Sequence, residues 1–267
     1  MAARLIATDL DGTIVRSDGE ISDRTRRALA AAEDAGLVVV FVTGRPPRWM
    51  KPVADATGHR GLAVCANGAV VYDLHREEIV QEFPMDAEVA RGIAEALRTV
   101  VPDVAFAVEG GGRFGHEPTY RAKYEVPPET VIAELDELLD RPVLKLLARH
   151  TTMSTAELLD AAHEVVGELA VLTTATFSET DGLLELSAAG VTKAFGLERL
   201  AREHGIGPED VVAFGDMPND LPMLVWAGHA VAVGNAHPDV IAVADEITAT
   251  NDEDGVAQVV ERLIRSR

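Results

Sequence analysis

Asp9-Leu10-Asp11-Gly12-Thr13 sets two carboxylates two residues apart where an apolar run, Leu5 to Thr8, stops. In an extended chain residues i and i+2 point to the same face, so both carboxylates can converge on one ligand. Gly12 lets the chain turn sharply straight after them. Carboxylates gathered at one point repel unless a cation or a shared proton relieves them. The pentapeptide therefore reads as a metal-assisted site with a carboxylate nucleophile, or as an ordinary strand followed by an Asp-Gly turn. Position in the chain and company decide between the two.

Three further polar stations supply the company. Thr43-Gly44-Arg45 follows the β-branched run Leu37 to Val42. Lys193 opens a helical stretch, where backbone N–H groups already favour an anion. Gly215-Asp216-Met217-Pro218-Asn219-Asp220 follows the run Val211 to Phe214. Each has a plain structural reading alone: a capped strand-to-helix turn, a solvated helix lysine, a capped helix start. Together, each after the expected element, they provide what phosphoryl transfer needs. Asp9 can attack phosphorus, and Asp216 can join it in holding a hard divalent cation, which takes oxygen ligands. Thr43, the Gly44 backbone and Lys193 can neutralise and orient phosphoryl oxygens. Asp11 can protonate the leaving oxygen and then deprotonate the attacking water.

The elements that must position these groups fall into three stretches. In the first, strands at Leu5 to Thr8, Leu37 to Val42 and Leu62 to Ala66 alternate with helices, one capped by Ser22 and stopped at Gly36. Fully apolar strands separated by helices predict a parallel sheet covered on both faces. From about Pro84 to Ala188 the character changes. Strands are expected at Val104 to Glu109, Arg113 to Tyr120, Val143 to His150, Ala170 to Glu179 and Leu183 to Ser187, and helices at Asp86 to Val100, Glu129 to Leu139 and Thr155 to Glu168. That pattern predicts an α+β domain with an antiparallel sheet, inserted into the first. The last stretch returns to βα units, with helices from Thr192, Asn219 and Gly255 and strands at Val211 and Ala230. In open parallel sheets ligands bind at the carboxyl ends of the strands, where three of the stations fall.

Composition sets outer limits. The chain has 267 residues, 47% of them hydrophobic, enough for a sizeable core. A formal net charge of −20 argues against binding nucleic acid through its phosphates. No apolar run reaches the length of a membrane span. The opening residues lack the apolar stretch of a secretory signal, and the single Cys65 cannot form an internal disulfide. Both features point to a cytoplasmic location.

The four stations resemble the motifs of the haloacid dehalogenase (HAD) superfamily, in particular its Cof-type, sugar-phosphatase-like branch with a large α/β cap. Asp9 to Thr13 matches the first motif, Thr43-Gly44-Arg45 the second, Gly190-Val191-Thr192-Lys193 the third and Gly215 to Asp220 the fourth. Asn67-Gly68-Ala69 and Asp254-Gly255-Val256-Ala257 resemble recurrent segments of that branch. The resemblance implies an α/β fold: a Rossmann-like core of residues 1–83 and 189–267, with an inserted cap of residues 84–188. It implies Mg²⁺ held by the Asp9 carboxylate, the Asp11 carbonyl and Asp216, with Asp220 orienting metal-bound water. It implies a phosphate held by the Leu10 backbone, Thr43, Gly44, Lys193 and Asn219. Asn67 and Glu185 are further candidates for touching substrate.

Other features are set aside. Gly110 to Gly115 fits G-x-G-x-x-G in form, but a β-like run follows it where a dinucleotide site needs a helix, so a hairpin turn is expected. Arg113, Arg121, Lys123, Lys145 and Arg149 read first as solvated charges and second as contacts for another anionic group. Cys65 reads as a small core residue. The expected activity is a Mg²⁺-dependent phosphatase on a small phosphorylated metabolite. A phosphomutase or a phosphosugar-binding regulator are the alternatives, the latter disfavoured because Asp9 and Asp11 are both present.

Overall fold

The computed structural model describes residues 3–110, 112–123, 126–174 and 177–266. The chain forms two compact units, Met1–Gln81 with Thr192–Arg267, and Glu82–Val191.

The first unit is built on an eight-stranded sheet. Its order is Glu246–Ile247, His229–Ala232, Val211–Gly215, Leu5–Thr8, Val38–Val42, Leu62–Cys65, Val70–Asp73, Glu78–Glu82. Leu5 stands beside Val211 on one side and Val38 on the other, both pairings parallel. Leu5–Thr8 and Val211–Gly215 are buried at every position, as strands covered on both faces must be. After Leu5–Thr8 the chain builds outward through Val38–Val42 and Leu62–Cys65. It later returns to the other side of Leu5–Thr8 with Val211–Gly215. The order thus reverses at Leu5–Thr8, which makes the ends of these two strands a topological switch point.

Local signals set the flanking helices. Asp23–Asp34 starts where the Ser22 hydroxyl accepts from the Thr25 N–H at 3.0 Å, and Gly36 follows it at φ +81°. Lys193–Glu203 starts where the Thr192 hydroxyl accepts from the Phe195 N–H at 3.2 Å. These caps satisfy amide groups that a helix start leaves without partners. Cys65 is fully buried at the end of its strand.

The second unit carries a six-stranded sheet in the order Ala170–Thr173, Gly182–Ala188, Lys145–His150, Ala105–Gly110, Arg113–His116, Val131–Ile132. Only the last pairing is parallel. Alternation divides its faces. Phe106, Val108, Leu146, Ala148, Leu184 and Leu186 pack with the helices Ala87–Val100 and Thr155–Val166. Ala105, Ala107 and Leu147 pack with Phe114 and Tyr120 in a separate cluster. The glycine-rich segment joins an antiparallel pair in which Gly110 faces Arg113, so the hairpin reading holds; Gly111 lies outside the described residues.

Three expectations need correction. The helix expected over Glu129 to Leu139 is a two-residue strand, Val131–Ile132, and one turn, Leu135–Leu138. Pro127-Pro128 and the β-branched Thr130-Val131-Ile132 disfavour a helix until Leu135. The strand expected to reach Tyr120 ends at His116, because the Glu117 carboxylate instead accepts from the Phe106 N–H at 2.7 Å. The strand expected to reach Glu179 is described only over Ala170–Thr173, and Ala175 and Thr176 lie outside the described residues. The structure adds the strands Val70–Asp73 and Glu78–Glu82 and the helix Pro238–Val243 to the expected elements.

Candidate active site

The first-strand station is a tight loop at the switch point. The Asp9 N–H donates to the Phe214 carbonyl at 3.0 Å, extending the parallel ladder one residue past Thr8. The chain then turns around the Leu10 carbonyl, which accepts from the N–H groups of Thr13, Ile14 and Val15 at 2.8–3.2 Å. Gly12 takes φ +80° in this turn, and a Cβ there would stand 2.3 Å from Asp216 Oδ2. Glycine is required twice over, for its backbone angle and for the room it leaves.

Across the switch point, the Asp216 N–H and the Met217 N–H both donate to Asp220 Oδ2 at 3.0 Å. That carboxylate closes the Pro218–Asp220 turn. The fully buried Asp220 accepts from the Lys193 ammonium at Oδ1, at 2.6 Å. Lys193 also donates to Asp9 Oδ1 at 2.7 Å. The Thr13 hydroxyl donates to Asp216 Oδ1 at 2.8 Å. Asp9, Asp216 and Asp220 each offer an oxygen within 4.8 Å of the others.

The electrostatics of this cluster are unbalanced. Burial pushes the Asp9 carboxyl up; Lys193 opposes the shift, while Asp220 and Asp216 add to it. Burial also pushes Asp216 up, to about 7, with Asp220 adding to the shift and the Thr13 hydrogen bond opposing it. Burial opposes the charge on Lys193, yet Asp220 and Asp9 outweigh it and the ammonium is strongly favoured. Three carboxylates against one ammonium leave a formal charge of −2. A divalent cation would cancel it, and an all-oxygen donor set suits a hard ion.

The second-strand station lies alongside. The Thr43 N–H donates to Val64 at 2.8 Å, and the Thr43 hydroxyl accepts from the Arg45 N–H at 3.1 Å. Gly44 lies between them. Asn67, in the left-handed region at φ 56°, donates its N–H to the Thr43 carbonyl at 3.0 Å. Its side-chain oxygen accepts from Asn219 Nδ2 at 3.2 Å. Asn67 and Asn219 therefore bind each other across two stations.

The structure thus gathers Asp9, Thr43, Asn67, Lys193, Asp216, Asn219 and Asp220 at the strand ends of one unit. Asp11 is turned outward and held by Arg45. Glu185 belongs to the second unit, where it accepts from Lys145 at 2.8 Å. Lys145 and Arg149 are not the solvated charges expected. Both are buried, the first against Glu185 and the second against Asp181, at 2.8 and 2.6 Å. Arg121 and Lys123 are exposed.

Thr13, Arg45 and Asn235 join the site beyond the residues expected from sequence. The first two were visible inside the motifs. Asn235 donates to the Gly12 carbonyl at 2.8 Å, and its side-chain oxygen accepts from the Asn251 N–H at 2.9 Å. Asn235 and Gly12 lie 223 positions apart, so no local signal marks it. The Asp254-Gly255 segment proves to be a brace: Asp254 accepts from Ser22 at 2.6 Å and Arg16 at 2.7 Å.

A largely parallel α/β sheet with acidic residues at its switch point, its chain interrupted by a separate α+β unit, places the protein among the two-unit α/β proteins that bind ligands at strand ends. Residues 6–260 match the family model of the haloacid dehalogenase-like hydrolases, and the chain belongs to that family of enzymes. It is 28% identical to the 5-amino-6-(5-phospho-D-ribitylamino)uracil phosphatase YitU of Bacillus subtilis, over 96% of each chain. It is 29% identical to the pyridoxal phosphate phosphatase YbhA of Escherichia coli, over 97% of this chain and 98% of that one. In fold it superposes on the HAD subclass IIB sugar phosphatase BT4131 with a TM-score of 0.82. That match has 23% identity and covers 97% of this chain and 98% of the other.

Proposed function

We propose that this protein is a Mg²⁺-dependent phosphatase that cleaves a small phosphomonoester through an aspartyl-phosphate on Asp9. The observation that carries the reading is the Asp9 carboxylate itself. It is buried at the switch point, bonded to Lys193 at 2.7 Å, and within metal-ligand range of Asp216.

Mg²⁺, held by the Asp9 and Asp216 carboxylates and the Asp11 carbonyl, would supply the positive charge that lets an anionic nucleophile meet an anionic phosphate. Asp220 is occupied by Lys193 and two backbone N–H groups, which suits an organising role better than direct ligation. The Leu10 carbonyl is spent on the turn, so its N–H is the group offered to phosphate. The Thr43 hydroxyl accepts from Arg45 and keeps its own hydrogen to donate. Gly44, Lys193 and Asn219 complete the cradle. Asp9 attacks phosphorus, the ester P–O bond breaks, and the leaving oxygen takes a proton from Asp11. Asp11, now a carboxylate, removes a proton from water. That water attacks the aspartyl-phosphate, freeing phosphate and restoring Asp9.

The unit Glu82–Val191 is read as the substrate-selecting cap, with Glu185 and, in the core unit, Asn67 as candidate contacts. The relatives' substrates, a phosphorylated ribityl compound and pyridoxal phosphate, support a small phosphorylated metabolite, sugar phosphates first. No described helix is long and apolar enough to cross a membrane, and the lone cysteine fits the cytoplasm.

The test is a panel of phosphorylated metabolites assayed with Mg²⁺, with Asp9→Asn as control. Phosphate release matching substrate loss, absent in the variant, is expected. A phosphorylated isomer in place of phosphate would indicate a mutase. Appreciable hydrolysis by pure Asp9→Asn would rule out Asp9 as nucleophile.

A further inference from the structure

Arg45 Nε donates to Asp11 Oδ2 at 2.7 Å, and its Nη2 donates to Asp11 Oδ1 at 2.5 Å. This is a fork meeting a carboxylate at both oxygens, the arrangement that fixes orientation as well as attraction. The two residues lie 34 positions apart, on loops leaving the neighbouring strands Leu5–Thr8 and Val38–Val42. The Asp11 side chain is 58% exposed, so packing does little to fix it. Arg45 is better anchored. Its side chain is 24% exposed, its N–H donates to Thr43, and its carbonyl accepts from the Ala66 N–H at 2.9 Å. An exposed ion pair of this kind adds little to stability. A rigid donor holding an otherwise loose carboxylate has its clearest use in chemistry.

We propose that Arg45 is a positioning residue: its fork holds both oxygens of the Asp11 carboxylate, and when Asp11 carries its proton one arm of the fork keeps the unprotonated oxygen, so that the O–H is aimed at the leaving group. The proposal rests on the reading of Asp11 as proton donor. The backbone bonds of Arg45 survive its replacement, so the effect of a variant is confined to the side chain. A lysine keeps the charge but offers a compact ammonium in place of the fork.

The experiment compares kcat/KM for phenyl phosphate, whose leaving oxygen needs a proton, with that for p-nitrophenyl phosphate, whose leaving group departs largely without one. General-acid assistance contributes about 10²–10⁴-fold, so its loss should weigh far more on phenyl phosphate. For Asp11→Asn the ratio of the two constants should shift by about 100-fold, and for Arg45→Ala by about tenfold in the same direction. Arg45→Lys should fall between Arg45→Ala and the unmodified protein. Each variant is first checked by circular dichroism and thermal melting, and Arg45→Gln serves if Arg45→Ala does not fold. An equal loss on both substrates would make Arg45 a phosphate contact. No loss on either would make it a surface pair, and full recovery by Arg45→Lys would mean that charge alone suffices. Each of these overturns the proposal. If Asp11→Asn leaves the ratio unchanged, Asp11 is not the proton donor, and the underlying reading fails whatever Arg45 does. If the unmodified protein turns over neither ester nor any metabolite of the panel, the phosphatase reading itself is at fault.

Discussion

Replacing Asp216 by Asn should make the metal-free protein more stable at pH 8, although it removes a hydrogen-bonded buried residue. Burial, with Asp220 adding to it, lifts the Asp216 carboxyl from 3.8 to about 7. Each unit is worth 1.36 kcal/mol, so ionising this group costs about 4 kcal/mol more in the folded protein than in the unfolded chain. That figure is a ceiling, because Asp9 and Asp220 share the same relief. The sign follows from proton linkage. Below about pH 4 the group is protonated in both states and there is no penalty. From there to about 7 the unfolded chain has released the proton and the folded protein still holds it, so stability falls as pH rises. Above about 7 the full penalty applies. An asparagine carries no charge to bury, and its amide oxygen can still accept from the Thr13 hydroxyl, which now donates at 2.8 Å. Urea denaturation with chelator at pH 5 and pH 8 measures both effects. The unmodified protein should lose stability between the two pH values, and Asp216→Asn should show a much smaller fall. Mg²⁺ at a hundred times its Kd should stabilise the unmodified protein by about 2.7 kcal/mol. It should add little to the variant. A variant less stable than the unmodified protein in chelator at pH 8, or one stabilised equally by Mg²⁺, would refute the charge argument.

Other perturbations test the same cluster. Lys193→Met removes the one ammonium between Asp9 and Asp220 and should cost about 3–5 kcal/mol in metal-free protein at pH 8, read by urea denaturation, with phosphatase activity lost. A normal rate would place Lys193 outside the site. Gly12→Ala puts a methyl group 2.3 Å from Asp216 Oδ2 and forces alanine to φ +80°. The backbone alone should cost about 1–2 kcal/mol, and the Mg²⁺-induced rise in melting temperature should shrink or vanish. Asn235→Ala frees the Gly12 carbonyl and should weaken Mg²⁺ binding, measured by calorimetry, more than it lowers the melting temperature.

Much of the first unit was legible because its signals are local. Leu5–Thr8 and the Ser22 and Thr192 caps fall where the apolar runs and capping residues put them. The second unit was less legible where competing signals sit close together. Val131–Ile132 follows its β-branched residues rather than the helix periodicity around it. Lys145 and Arg149 look like surface charges in sequence. They are buried because their strand turns them to the same face as the carboxylates they bind.

At the site, the chemical types and their order are readable along the chain: Asp9 and Asp11 after the first strand, Thr43 after the second, Lys193 at a helix start, Asp216 and Asp220 in a later turn. Residue type, spacing and capping are local properties, and a chain displays them before it folds. How these groups share charge is a property of the fold. It sets Asp216 against Gly12, places Lys193 between Asp9 and Asp220, and turns Asp11 onto Arg45. These are distances between residues tens to hundreds of positions apart, fixed by which strands lie side by side. Burial and Coulomb interaction depend on such distances, so the charge imbalance of the cluster and the hold on Asp11 exist only in the folded protein.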